Sequence, residues 1–291
     1  MSCIIWNARG LGNQRAFREL KRLCAEKSPT LLFISETKVS TSRYKWWREV
    51  LGFTGMFGVD CNGRSGGLLI FWKEPFDITI HSYTSGHIDS TIKHDNKLWR
   101  FTGFYGHPDY RLRNQSWTLL RRLKDQQGFQ GIPWLVGGDF NEICYDSEKL
   151  GGNTKPYAQT QAFRDILDFC SLQDLHHHGE FFTWVNRRQL EETIFECLDR
   201  YVGTFAWRMM YPAARAHSLE FYYSDHRPII IELGSTLHLP TFKRRLFRFE
   251  THWITEPDCF EIVEKGWQKE NEALSLQSRI SACQESLYLG G

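Results

Sequence analysis

The sequence has no strong charge of either sign, since 36 basic against 34 acidic side chains leave a formal +2 over 291 residues. Bulk charge therefore neither requires nor excludes a polyanionic partner, and any surface for one must come from local clustering. The eight cysteines are scattered, with no CxxC pair and no recurring spacing. That leaves no zinc framework and reads as reduced thiols. No N-terminal segment joins a basic stretch to an apolar one, and no apolar run approaches the roughly 18 residues needed to cross a bilayer. An intracellular protein, nuclear or cytoplasmic, with no signal peptide and no membrane partner is expected. A GxxxxGK[ST] phosphate loop is also missing.

Apolar matter is plentiful: 41% of residues are hydrophobic, with 21 Phe and 11 Trp, enough for one large core or two modest ones. "CIIW" at 3–6 is a short apolar run broken by the polar "NARGLGNQ". Asn13 is placed to cap the helix that follows, in which Ala16, Phe17, Leu20, Leu23 and Cys24 recur at helical spacing until Ser28-Pro29 stops it. "TLLFISETK" reads as a second buried strand with a charged end. Short β-rich runs follow at 66–72, 77–82, 87–92 and 97–105, with meander-like pairing expected among them. Helices fit 114–127 and 159–170, around a strand "PWLVGGDF" at 133–140, and "FFTWV", "ECLDRYV" and "RPIIIEL" complete the strands. Strands and helices mixed in this way argue for two sheets packed face to face and covered by helices, not a doubly wound parallel sheet. Past Gly234 the composition changes: "STLHLP" is a linker, 243–248 is basic, and 256–289 reads as amphipathic helix with little core of its own.

Four strand ends share a feature, a carboxylate or carboxamide directly after an apolar run: Asn7, Glu36, Asp139 with Asn141, and Asp225 with His226. Any one alone is ordinarily a turn former or a helix cap. "GGDFN" is less ordinary, because its glycines permit close backbone approach while Asp139 and Asn141, two apart on a strand, would face the same side. Asp225 and His226 are adjacent and cannot pair side by side on a regular strand, so they are expected on a loop. Mg²⁺ takes one or two carboxylates plus water and phosphate oxygens, so Glu36 with Asn7 would suffice as its protein anchor.

In order and spacing, Asn7 in "WNARGLG", Glu36 in "SETK", Tyr105 in "GFYGHP", "GGDFN", Asp199 in "CLDR" and "SDH" at 224–226 resemble the endonuclease/exonuclease/phosphatase superfamily. The resemblance covers residues 4–233. "SGGLLIFW", "FTWVNRR", "LDRYV" and "SDHRPI" look like the apurinic-type endonuclease domain of plant LINE-type, non-LTR retrotransposons, and "RLFRFETHW" is similar to the segment that joins it to a reverse transcriptase.

The resemblance implies a DNase I-like α/β (α+β) fold, a four-layered sandwich of two mixed β-sheets covered by helices. It implies an endonuclease domain over 1–235, with 236–291 a linker and helical segment leading to a reverse transcriptase that is absent here. The implied activity is a Mg²⁺-dependent, or Mn²⁺-supported, nick in target DNA that leaves a 3′-hydroxyl for reverse transcription. A superfamily phosphatase acting on a lipid, inositol or nucleotide, or an inactive retroelement fragment, are the alternatives. Glu36 would ligate the metal, with Asn7 beside it and Asp225 supporting the site or binding a second cation. His226, oriented by Asp199, would be the base for water or the cation that holds the phosphate. Asp139 is the other candidate base, Asn141 would position water or a phosphate oxygen, and Tyr105 would donate its hydroxyl. Thr183 corresponds to a position that touches the DNA backbone. Arg9, Arg187, Arg188 and Arg200, with Trp184 and Tyr201 interleaved, are expected to face DNA. The "HHH" at 176–178 is assigned nothing, and "GFYGHP" departs from the looser pattern of repair enzymes, which argues against abasic-site cleavage.

Overall fold

The computed structural model describes residues 1–234, apart from 64, 187 and 189–191, together with residues 260, 261 and 264. The chain divides into two compact units, Met1–Leu237 and His238–Gly291. The linker and amphipathic tail expected over 236–289 lie outside the described residues, save Phe260, Glu261 and Glu264, which are helical.

Two large mixed sheets form the body of the first unit. One has seven strands in the spatial order His177–His178, Arg215–Ser218, Ile229–Glu232, Ser2–Asn7, Leu31–Ser35, Ser65–Trp72 and Gly55–Asn62. The other has six, in the order Leu172–Asp174, Asp199–Thr204, Trp134–Asp139, Lys97–Tyr105, His87–His94 and Asp77–Thr84. The expected meander holds for the last three of these, but Ser65–Trp72 crosses into the first sheet, where it lies between Leu31–Ser35 and Gly55–Asn62.

Alternation along each strand sorts the side chains into layers. Cys3 and Ile5 join Phe33, Ile70, Trp99, Phe101, Leu135 and Tyr201 in the cluster between the sheets. Their neighbours Ile4 and Trp6 face outward beneath Leu20 and Leu23 of the helix Gln14–Lys27 and Trp47 of the helix Tyr44–Leu51. On the far side, Phe104, Val136 and Val202 pack under the helices Asn114–Asp125 and Tyr157–Phe169 through Trp117, Leu120, Phe163 and Ile166. The order is helix, sheet, sheet, helix. Truncating one of these fully buried side chains costs about 2–5 kcal/mol, so the layers hold the strand ends firmly. Asn13 caps the first helix as the sequence suggests, its Oδ1 accepting from Ala16 N at 2.8 Å. Among the described residues no helix is long and apolar enough to cross a membrane.

Register places the polar strand ends at one rim. Ser2–Asn7 and Leu31–Ser35 run parallel, with Asn7 opposite Ser35. In the other sheet Asp139 stands opposite Tyr105 on one side and Asp199 on the other. The strand Ile229–Glu232 runs antiparallel to Ser2–Asn7 and pairs Ile229 with Ile5, so the residues just before it, Ser224 to His226, arrive at the same rim.

Candidate active site

Asn7 joins the two sheets. Its Oδ1 accepts from the Arg9 backbone at 3.0 Å, which turns Nδ2 toward the carboxylates. That amide donates to Glu36 Oε1 at 3.2 Å and to Asp139 Oδ2 at 2.9 Å. The turns on either side use left-handed backbone, with φ of 52° at Arg9 and 51° at Glu36, conformations that cost a non-glycine residue about 1 kcal/mol or more and mark a backbone held by its surroundings. Gly138, just before Asp139, is dictated by space: a Cβ there would lie 1.9 Å from the carbonyl oxygen of Phe104.

Glu36 also accepts from the Tyr105 hydroxyl at 2.8 Å and pairs with Lys38 Nζ at 2.7 Å. Burial works against its charge, but the hydrogen bonds from Lys38 and Tyr105 outweigh it and hold Glu36 below the usual carboxylate range. Burial, with the Glu36 and Asp139 charges, pushes the Tyr105 phenol far up, so it is a hydrogen-bond donor at every working pH.

His226 lies deeper. Its Nδ1 donates to Asp199 Oδ2 at 2.8 Å, and its Nε2 stands 3.9 Å from Asp139 Oδ2. Burial disfavours the imidazolium, yet the carboxylates of Asp199 and Asp139 prevail and raise its pKa to about 9. Asp139 shares that proton balance: burial pushes its carboxyl up, His226 pulls it down, and Asp199 pushes it up again. The net direction is upward, because a fully enclosed carboxylate near a second one resists ionisation. The expectation of a loop for Asp225 and His226 holds, with one isolated bridge from His226 to Trp184. The Ser224 hydroxyl pins that loop by donating to the Asn7 carbonyl at 2.7 Å.

Several expectations need correction. Asp139 ends its strand, and Asn141 has left it in the left-handed region at φ 55°, so strand alternation does not set the two on one side. Asn141 instead donates its backbone N–H to Asp139 Oδ1 at 2.7 Å and its amide to Gly106 O at 2.9 Å. Thr183 is fully buried, and its hydroxyl accepts the N–H groups of Leu198 and Asp199 at 3.0 Å each; it fixes the start of the Asp199 strand and is not available to a DNA backbone. Arg200 is not DNA-facing: it is 2% exposed and pairs with Glu148 at 2.7 Å and Asp174 at 2.6 Å. Alternation explains this, since Asp199 points to the rim and its neighbour to the opposite face. Tyr201 is likewise interior, its hydroxyl donating to Cys3 O at 2.9 Å. Arg9 and Arg188 are exposed at the rim and on the loop beyond Trp184, whereas Arg187 lies outside the described residues. Asp225 accepts from Trp184 Nε1 at 3.1 Å and pairs with Arg9 at 3.2 Å. Lys38 and Ser224 also belong to the site, although neither carried an expected role: "SETK" sets Lys38 two residues after Glu36, and "SDH" opens with Ser224.

The donor set suits a hard cation. Glu36, Asp139 and Asp199 offer carboxylate oxygens, the ligand type Mg²⁺ and Mn²⁺ prefer. Asp199 Oδ1 is buried without a hydrogen-bond partner, and ligand atoms of Asp139, Asp199 and His226 lie within 4.8 Å of one another. Glu36 Oε2 already draws two side-chain cations, Lys38 and, at 4.0 Å, Arg9. Asn7 contributes differently from the expectation, since its oxygen is turned to a backbone amide and it meets Glu36 through N–H.

Acidic and amide groups clustered around a carboxylate-held imidazole, at the open rim of a two-sheet sandwich, are the equipment of enzymes that hydrolyse phosphate esters. The sequence model of the endonuclease/exonuclease/phosphatase family matches residues 4–226, and the chain belongs to that family. Solved structures agree in fold. The endonuclease domain of TRAS1, a telomere-specific non-LTR retrotransposon, superposes with a TM-score of 0.59 at 15% identity, over 79% of this chain and 96% of that one. A 3′-5′ exonuclease from Neisseria meningitidis gives 0.62 at 19% identity over 80% and 99%. An AP endonuclease from Archaeoglobus fulgidus gives 0.62 at 14% identity over 80% and 98%. No curated protein sequence matches the chain.

Proposed function

We propose that the protein is a divalent-metal-dependent DNA endonuclease, one that nicks a target strand for retrotransposon insertion and leaves a 3′-hydroxyl for a reverse transcriptase to extend. The observation that carries the reading is the continuous row Asp199, His226, Asp139, Asn7, Glu36 and Tyr105, linked by contacts of 2.8 to 3.9 Å across both sheets. Exposure rises along it, from 1% at Asp199 and Asp139 to 9% at Glu36 and Tyr105, so the phosphate meets the Glu36 end and the proton chemistry sits deeper.

A divalent ion held by Glu36 would neutralise charge on the scissile phosphate and the departing oxygen, an effect of several kcal/mol. With its pKa near 9, His226 carries two protons at neutral pH, so it acts as the cation facing the phosphate. Asp139 is then the base: water oxygen bonds to phosphorus, the water proton passes to Asp139 Oδ2, which Asn7 steadies, and the P–O3′ bond breaks with its electron pair on O3′, which takes a proton from solvent to become the 3′-hydroxyl. Tyr105 donates a hydrogen bond to whichever oxygen displaces its present partner on Glu36. Arg9, exposed at the mouth, supplies a backbone contact.

Purified protein is expected to relax supercoiled plasmid in Mg²⁺, to stop in EDTA, and to lose the activity with Asp139→Ala and with His226→Ala. Equal relaxation by either variant would overturn the assignment. A wild type inert on plasmid but active on a phosphomonoester would replace the DNA reading with that of a phosphatase.

A further inference from the structure

Next to the catalytic loop lies a cavity of about 480 Å³ lined by Arg9, Arg15, Glu19, Tyr222, Tyr223 and Asp225. It adjoins the middle of the catalytic row, because Asp225 precedes His226 in the chain and Arg9 follows Asn7 by two residues. Tyr223 stays 38% exposed there, between the buried Tyr222 and Ser224. The ring is not loose. Asn13 Nδ2 donates to its hydroxyl at 3.1 Å, and the same Asn13 caps the helix Gln14–Lys27, so the aromatic plane is fixed at its far end. The Arg15 guanidinium stands 5.8 Å from the ring centroid.

Charge in this cavity is uneven. Both carboxylates that line it are already neutralised, Asp225 by Arg9 at 3.2 Å and Glu19 by Arg22 at 2.8 Å. Arg15 has no carboxylate partner among the described residues. A held aromatic face beside an uncompensated guanidinium matches a nucleotide, whose base stacks and whose phosphate pairs with the cation. A second cavity, of about 780 Å³ on the Tyr105 side, is lined by small residues such as Gly66, Gly67 and Gly86 together with Asp60, His107 and Arg122.

We propose that the Arg15–Tyr223 cavity is a subsite for the DNA nucleotide next to the scissile phosphate, with Tyr223 stacking on its base and Arg15 on its phosphate. The assignment rests on the endonuclease reading, and its test is separate from cleavage. Binding of a fluorescein-labelled random-sequence duplex is followed by anisotropy in EDTA. Tyr223→Ala is expected to raise Kd about tenfold, whereas Tyr223→Phe, which keeps the ring and loses only the bond from Asn13, stays within about twofold. Arg15→Ala is expected to make log Kd against log salt shallower by about one unit. Unchanged binding by Tyr223→Ala, or equal weakening by the Phe and Ala variants, overturns the subsite, the latter because it assigns Tyr223 to holding Asn13. Plasmid relaxation by the wild type decides the endonuclease reading independently.

Discussion

Replacing Arg200 by alanine tests whether this guanidinium holds the fold together or meets a nucleic acid. The guanidinium donates to Asp174 Oδ2 at 2.6 Å, to Glu148 Oε2 at 2.7 Å and to the Cys197 carbonyl at 2.6 Å, with its side chain 2% exposed. Burial opposes its charge, but Asp174, foremost among the groups around it, raises its pKa well above the ordinary value. Truncation leaves the buried Glu148 and the half-buried Asp174 without the guanidinium that both face, and breaking a buried pair from one side costs about 3–5 kcal/mol. For a domain of this size each kcal/mol moves the melting midpoint by about 2–4 °C, so Tm is expected to fall by roughly 6–20 °C. The salt dependence of duplex binding, measured below the variant's Tm, is expected to match that of the wild type. A midpoint within about 2 °C of wild type together with a salt slope reduced by about one would refute the reasoning and return Arg200 to the DNA.

Tyr105→Phe removes the hydroxyl donated to Glu36 at 2.8 Å; a hydrogen bond to a charged group is worth about 1.5–3 kcal/mol, so plasmid nicking is expected to slow by about 10- to 100-fold with the fold intact. An unchanged rate excludes Tyr105 from the reaction. In metal-free buffer, Tm is expected to decline as pH rises from 6.5 toward 9. His226, raised from 6.5 to about 9, gives stability that is complete below pH 6.5 and lost as pH climbs through about 9, and the raised Asp139 acts with the same sign at lower pH. Asp199→Asn, which removes the first carboxylate holding that proton, should flatten the decline, and a Tm that rises over the window contradicts the assignment. Gly138→Ala forces a Cβ to 1.9 Å from a backbone oxygen that cannot move without parting two strands, so the variant is expected to lose more than roughly 5 °C of Tm or fail to fold; wild-type stability would show that the strands separate more easily than this.

What the sequence disclosed followed from periodicity. The apolar runs at 3–6, 31–35, 134–139 and 229–232 are strands, and the polar residues that interrupt them meet at one rim. The helix Tyr44–Leu51 and the strand Gly55–Asn62 escaped notice. Gly52, Gly55 and Gly58 break up that stretch, and the strand is only half-buried at the sheet edge, so no clean period is written into it. Arg200 misled for another reason. Adjacency to a catalytic residue was read as closeness to the substrate, but a strand sends its next side chain to the opposite face. Asn141 shows the converse failure, since a one-residue turn into left-handed backbone changed where its amide points, and the letters "DFN" carry no sign of it.

The tie between the opening and closing strands bears on when the enzyme can work. The Trp6 indole donates to the carbonyl of His226 at 3.2 Å across 220 positions of sequence, and Ser224 reaches Asn7 across 217. Because a ribosome delivers the chain from one end, Asn7 and Glu36 emerge long before their histidine partner exists. The row of contacts from Asp199 to Glu36 is therefore incomplete until residues 224 to 226 have been made, and it closes only when the strand that follows them has docked beside the first.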